Sequence, residues 1–218
     1  MKFFVDTANL DAIREIQSLG ILDGVTTNPS LMAKEGIKGQ DAVMQRYQDI
    51  CDLVDGDVSA EVIATDFETI VKEGEALSRL HENIVVKVPM IREGLRALRY
   101  FSENDIRTNC TLIFSPAQAI LAAKAGADYI SPFIGRLDDI NEEGISLIEQ
   151  LVEIFTTQQY DTEILAASIR SSLHIVQCAQ AGADVVTCPP KPILDMLNHP
   201  LTDAGLEKFL NDYKQVQG

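Results

Sequence analysis

Eight short apolar runs alternate with amphipathic helical stretches along this chain, and that alternation narrows sharply what it can fold into. The runs cover 3–7, 24–28, 58–63, 84–88, 108–114, 127–133, 163–167 and 184–188. The run over 84–88 reads as a strand covered on both faces, the kind found in parallel sheets. Between them, a helical pattern over 11–19 stops at Gly20, another over 66–80 takes Asp66 as its N-cap, and Ser115-Pro116 supplies a cap and first-turn proline. Ala125-Gly126-Ala127-Asp128 and Ala181-Gly182-Ala183-Asp184 share one grammar, each closing a helix at glycine and opening a strand. Strict alternation implies parallel strands joined by right-handed crossovers. Eight such units in 218 residues fit an α/β fold of the (β/α)8 TIM-barrel type, close to its lower size limit of about 200. The competing open doubly wound sheet would carry a GxGxxG or P-loop turn after a strand, and none occurs.

No Gly/Ser/Pro-rich linker interrupts the chain, so 1–218 is expected to form a single barrel domain. A short helix over 192–197 and a longer one over about 203–217 follow the last strand, the latter with Leu206, Phe209, Leu210 and Tyr213 on one side. That helix is expected to close the barrel's own surface; a subunit contact is the alternative.

Charge restricts the partners. A formal net charge of −15 and a pI near 4.5 argue against nucleic acid or an anionic membrane surface, since both require a basic face. Neither a signal peptide nor a run long enough to span a membrane is evident, so a cytoplasmic location is expected. Cys51, Cys110, Cys178 and Cys188 form no CxxC pair and are expected as free thiols. His81, His174 and His199 read as surface or helix-end residues, and no metal site is expected.

Lys87 is the residue out of place, a lone cation in Ile84-Val85-Val86-Lys87-Val88-Pro89. Desolvation there favours the neutral amine, the form that attacks a carbonyl. In a barrel the reacting groups come from C-terminal strand ends. Those ends carry Asp6, then Thr26, Thr27 and Asn28, then Glu61, Lys87, Asn109 with Thr111, Ser131 with Arg136, and Ser168 with Arg170. An amine, two carboxylates, neutral donors and two arginines are thus expected to converge. A structural ion pair with Lys87 is the alternative reading of Asp6 and Glu61, as capping is for the Ser, Thr and Asn residues.

Val5-Asp6-Thr7, Gly24-Val25-Thr26-Thr27-Asn28-Pro29-Ser30, Val86-Lys87-Val88-Pro89, 109–115, Ser131-Pro132-Phe133-Ile134-Gly135-Arg136 and Ala166-Ala167-Ser168-Ile169-Arg170 resemble the transaldolase family. The similarity spans nearly the whole chain and is greatest to its short bacterial branch, which includes the fructose 6-phosphate aldolases. The resemblance implies a class I aldolase-like mechanism in which Lys87 forms a Schiff base with a ketose phosphate. Asp6 would exchange the proton of the hydroxyl at the cleaved bond, while Glu61, Thr111 and a water would serve imine formation. Asn28, Asn109 and Ser131, with Thr27 beside them, would bind sugar hydroxyls; Arg136, Ser168 and Arg170 would bind phosphate. No metal or organic cofactor is implied, because the imine is the electron sink. A homo-oligomer, pentameric or decameric, is implied as well.

The same resemblance separates transfer from release. Relatives that release dihydroxyacetone to water tend to carry Gln where this chain has Glu61 and Tyr where it has Phe133. Transfer of a dihydroxyacetone unit from sedoheptulose 7-phosphate or fructose 6-phosphate to glyceraldehyde 3-phosphate or erythrose 4-phosphate is therefore expected, as in the non-oxidative pentose phosphate pathway. A free aldolase, a phosphate-binding isomerase and a non-catalytic sugar-phosphate-binding barrel are the alternatives.

Overall fold

A computed structural model describes residues 1–217 of the chain. Its strands are β1 (Lys2–Asp6), β2 (Gly24–Thr26), β3 (Asp57–Glu61), β4 (Ile84–Pro89), β5 (Thr108–Ile113), β6 (Tyr129–Pro132), β7 (Glu163–Ala166) and β8 (Val185–Cys188). The helices are α1 (Leu10–Ser18), α2 (Pro29–Lys34), α3 (Gln40–Cys51), α4 (Phe67–Ser78), α5 (Arg92–Glu103) and α6 (Pro116–Ala125). They continue as α7 (Ile134–Asp138), α8 (Gly144–Gln158), α9 (Ser172–Ala181), α10 (Pro190–Asp195) and α11 (Pro200–Gln217). All strand pairs are parallel, and β1 pairs β8 to close an eight-stranded barrel. The TIM-barrel expectation is met.

Some strand ends differ from the sequence reading for local reasons. β2 stops at Thr26 because Asn28 turns to cap α2, accepting from the Leu31 N–H at 3.0 Å, and Pro29 then starts that helix. β6 begins at Tyr129, later than read, because Ala127 still belongs to the close of α6: its N–H donates to the Ala122 carbonyl. Gly126 and Gly182 adopt the left-handed conformation at φ 93° and 92°, so the two repeated phrases are repeated geometry. The aspartate that ends each phrase has a further job. Asp128 accepts from the Thr108 N–H and Asp184 from the Ile164 N–H, at 2.7 and 2.8 Å, tying down the start of the preceding strand. Asp23 does the same for Phe3 at 2.7 Å.

Period-two alternation sorts the strand residues into two cores. Val5, Val86, Ile130, Ala166 and Val186 face the helices. Their neighbours Phe4, Val85, Tyr129, Leu165 and Val185 fill the barrel interior as a separate cluster. The Phe4 ring lies so close to Gly24 that a Cβ there would sit 2.6 Å from it, which is why β2 starts with glycine. Two residues further along, four of these five interior positions become polar, Asp6, Lys87, Ser131 and Thr187, while β7 carries Ala167 there. The apolar plug thus sets the floor of the site.

The terminal helix departs from the expectation. From Pro200 to Val216 every residue of α11 except Gly205 is exposed, so the helix does not close the barrel's own surface. Phe209 is 71% and Leu206 57% exposed, which leaves its apolar side uncovered by this chain. Among the described residues no helix is long and apolar enough to cross a membrane.

Candidate active site

Lys87 sits at the carboxyl-terminal half of β4 and is 4% exposed. Its Nζ donates to the Thr27 carbonyl at 3.1 Å and lies 3.1 Å from Oε2 of Glu61. The β3–β4 register puts Glu61 directly opposite Lys87, so the ion pair follows from strand pairing. Glu61 Oε2 makes no hydrogen bond among the described residues, which makes this contact chiefly coulombic.

Asp6 approaches from β1. Thr26 donates its hydroxyl proton to Asp6 Oδ1 at 2.7 Å, and the Thr187 hydroxyl lies 2.6 Å from that of Thr26. Because the Thr26 proton is committed to Asp6, Thr187 must donate to Thr26, giving a directed chain Thr187 to Thr26 to Asp6. Burial pushes the Asp6 carboxyl above the ordinary aspartate range, and the Lys87 charge and the Thr26 hydrogen bond offset this only in part.

Two contiguous cavities of about 220 and 370 Å³ open onto this layer and share Asn28, Lys87, Phe133 and Arg136. Asp6, Thr26, Thr187, Ser168 and Arg170 line the first; Glu61 and Thr111 line the second. Phe133 packs on Phe114 with ring centroids 5.8 Å apart, and the Arg136 guanidinium lies 5.3 Å from the Phe133 ring centre. α7, a one-turn helix that the sequence reading did not resolve, carries Arg136 to the cavity mouth. Gly135 lets that turn approach the β7 loop, since a Cβ there would sit 2.1 Å from the Ser168 carbonyl and 2.8 Å from Arg170 Nε. Ser168 is held at φ 61°, a left-handed conformation uncommon for serine. Arg170 pairs with Asp139 at 2.7 Å, but both side chains are more than half exposed. Such a pair contributes about 0–1 kcal/mol, so an entering dianion can readily take the guanidinium over.

Thr111 faces the second cavity because β5 is irregular. The β5–β6 register shifts between Cys110 and Ile113, and Leu112 within that bulge has φ 62°. Bulges of this kind re-aim side chains. The Thr111 hydroxyl is buried without a hydrogen-bond partner among the described residues, which leaves it available to a bound molecule.

Two of the expected residues stand behind the cavities. Thr27 is fully buried and donates its hydroxyl to the Ser59 carbonyl at 3.0 Å; it offers Lys87 its backbone carbonyl. Asn109 is also fully buried, donating to Ser59 Oγ at 3.1 Å and accepting from Ser131 Oγ at 2.8 Å. It therefore orients Ser131, which does line the first cavity. Thr187 lines the first cavity as well, and Val185-Val186-Thr187-Cys188 carries the same signal of a polar residue in an apolar strand that marks Lys87. His174 is in the first turn of α9 as a helix-end residue, but Asp138 lies 3.4 Å from its Nε2, a pairing that sequence separation concealed. All four cysteines are free. Among the described residues no group of three or more His, Cys, Asp or Glu side chains is arranged to hold a metal.

Residues 3–218 match the family described as Transaldolase/Fructose-6-phosphate aldolase. A protein of Cytophaga hutchinsonii named "Probable transaldolase" is 65% identical over 218 residues, covering 100% of both chains. One of the same name in Bacteroides thetaiotaomicron is 61% identical, again over 100% of both. Among solved structures, an inosine 5' monophosphate dehydrogenase from Legionella pneumophila matches with a TM-score of 0.58 at 17% identity, covering 86% of this chain and 58% of that one. That likeness is of fold alone.

Proposed function

The chain belongs to the transaldolase/fructose-6-phosphate aldolase family, and from that premise we propose that it moves a dihydroxyacetone unit from a ketose phosphate to an aldose phosphate through an imine on Lys87. The observation that carries this reading is a buried amine set between Glu61 and the Thr27 carbonyl, in a cleft that also holds Asp6 and ends at Arg136 and Arg170. Nζ adds to the C2 carbonyl of fructose 6-phosphate or sedoheptulose 7-phosphate, and water leaves with protons carried by Glu61 and Thr111. Asp6 takes the proton of the C4 hydroxyl as the C3–C4 bond breaks, and the bonding pair flows into the iminium. The acceptor, glyceraldehyde 3-phosphate or erythrose 4-phosphate, is then attacked by C3 and receives that proton back from Asp6. Asn28, Ser131 and Asn109 hold sugar hydroxyls, directly or through one another, and Arg136, Ser168 and Arg170 hold the phosphate. A forked guanidinium suits a dianion.

A coupled assay of fructose 6-phosphate with and without erythrose 4-phosphate tests this. Turnover must depend on the acceptor; release of free dihydroxyacetone at a comparable rate without it would make the protein an aldolase. Phe133 touches both cavities and offers no hydrogen bond to a water beside the enamine. Phe133→Tyr is expected to raise dihydroxyacetone release by 10-fold or so, on the order of one added charge-assisted hydrogen bond. Equal release from variant and parent would remove Phe133 from the account.

The uncovered apolar side of α11 supports a homo-oligomer in which that helix docks on a neighbour, since a patch of this kind is costly in water. Light scattering should find a multimer. Phe209→Glu should lower its mass, and an unchanged mass would place the contact elsewhere.

A further inference from the structure

Tyr47 lies outside the barrel on α3, yet its hydroxyl reaches the seam between β2 and β3 behind Lys87. It is 2% exposed and accepts from the Glu61 N–H at 3.2 Å. The Thr27 side chain is its other polar neighbour. Burial raises the phenol's pKa above its ordinary value, so the group stays a neutral donor and acceptor.

The strand register explains why this matters. The β2–β3 ladder runs through the Thr27 N–H, which donates to the Ser59 carbonyl at 3.3 Å. One more step of a parallel ladder would send the Glu61 N–H to the Thr27 carbonyl. Here Tyr47 takes that N–H, and the Thr27 carbonyl goes to Lys87 Nζ at 3.1 Å instead. One helix residue therefore ends the ladder at the point where the lysine needs an acceptor, and it anchors the backbone of the carboxylate beside that lysine.

We propose that Tyr47 is a positioning residue for the imine chemistry: by capping the Glu61 amide it fixes the backbone of that carboxylate and leaves the Thr27 carbonyl to Lys87, and so sets both groups that grip the lysine. It touches no substrate. The inference rests on the Schiff-base reading above and assigns Tyr47 to the steps that form and hydrolyse the imine, separate from carbon–carbon cleavage by Asp6.

The test follows the rate at which borohydride traps fructose 6-phosphate on Lys87, in the full-length protein and in Tyr47→Phe, which keeps the ring. Adduct formation and kcat are expected to fall by roughly 3- to 10-fold, the equivalent of one lost hydrogen bond, with KM nearly unchanged. A merely structural role would lower the unfolding midpoint while leaving the trapping rate per folded molecule at the parent value, and that result overturns the inference. Tyr47→Met, which also fills the site without an acceptor for the Glu61 N–H, should slow trapping in the same way. If Tyr47→Phe does not fold, parent-like trapping in Tyr47→Met overturns the inference by itself. Absence of any adduct in the parent protein would instead sink the Schiff-base reading, so the two failures are distinguishable.

Discussion

Replacing Lys87 by methionine is expected to abolish transfer and the borohydride-trapped adduct together, and also to weaken the fold although methionine fits the space. In the proposed mechanism loss of the amine removes the covalent route entirely, and a drop of at least about 10⁴-fold in kcat is the expected scale. The stability effect comes from what remains. Glu61, whose side chain is only 15% exposed, is left without its counter-charge, and the Thr27 carbonyl loses its donor. Breaking a buried pair on one side costs about 3–5 kcal/mol, readable by urea unfolding at neutral pH. Adding Glu61→Gln to Lys87→Met should recover most of that loss and none of the activity. A double variant no more stable than the single one would show that the pair is not what makes Lys87 costly to remove, and a trapped adduct in Lys87→Met would locate the amine elsewhere.

Asp6→Asn should separate the two halves of the reaction. Asparagine keeps an oxygen for the Thr26 hydroxyl but cannot take a proton, so kcat is expected to fall by about 10²–10⁴-fold. In the proposed mechanism imine formation does not pass through Asp6, so the borohydride adduct on Lys87 should still form. Stability should move the other way. The Asp6 pKa is raised on folding, with burial the largest cause, so the folded protein holds this proton more tightly than the unfolded chain. The stability this group contributes is present below the ordinary aspartate range and is lost as pH rises through the raised value. At neutral pH ionised Asp6 is therefore a cost, and Asp6→Asn is expected to raise the melting temperature there. The same shift moves the acid limb of kcat above the ordinary aspartate range, and that limb should vanish in Asp6→Asn. A lower melting temperature in the variant would show that the Lys87 and Thr26 contacts outweigh burial.

Period-two and helical patterns made the barrel legible, and the strand ends made most of the candidate site legible. Asp6, Glu61, Lys87, Thr111, Ser131, Arg136, Ser168 and Arg170 each interrupt or follow an apolar run, and the closed barrel brings them to one cleft. Thr27 and Asn109 carry the same signal but stand behind that cleft, because alternation tells two faces apart and not how far a side chain reaches. The bulge at Leu112 that turns Thr111 inward has no signature in Thr111-Leu112-Ile113.

The sequence by itself determined that strands and helices alternate, which residues are polar within apolar strands, and that a lysine is buried among valines. Those are properties of neighbours in the chain, set by local periodicity and desolvation. Tertiary structure alone decided which polar groups meet. Glu61 pairs with Lys87 through strand register, Thr187 reaches Thr26 across the barrel's closing seam, and Tyr47 enters from a helix with no strand signal to announce it. It also left α11 bare, although that helix's amphipathic pattern is the same as one packed on its own barrel. An apolar stripe records that a face must be covered and carries no information about which chain covers it.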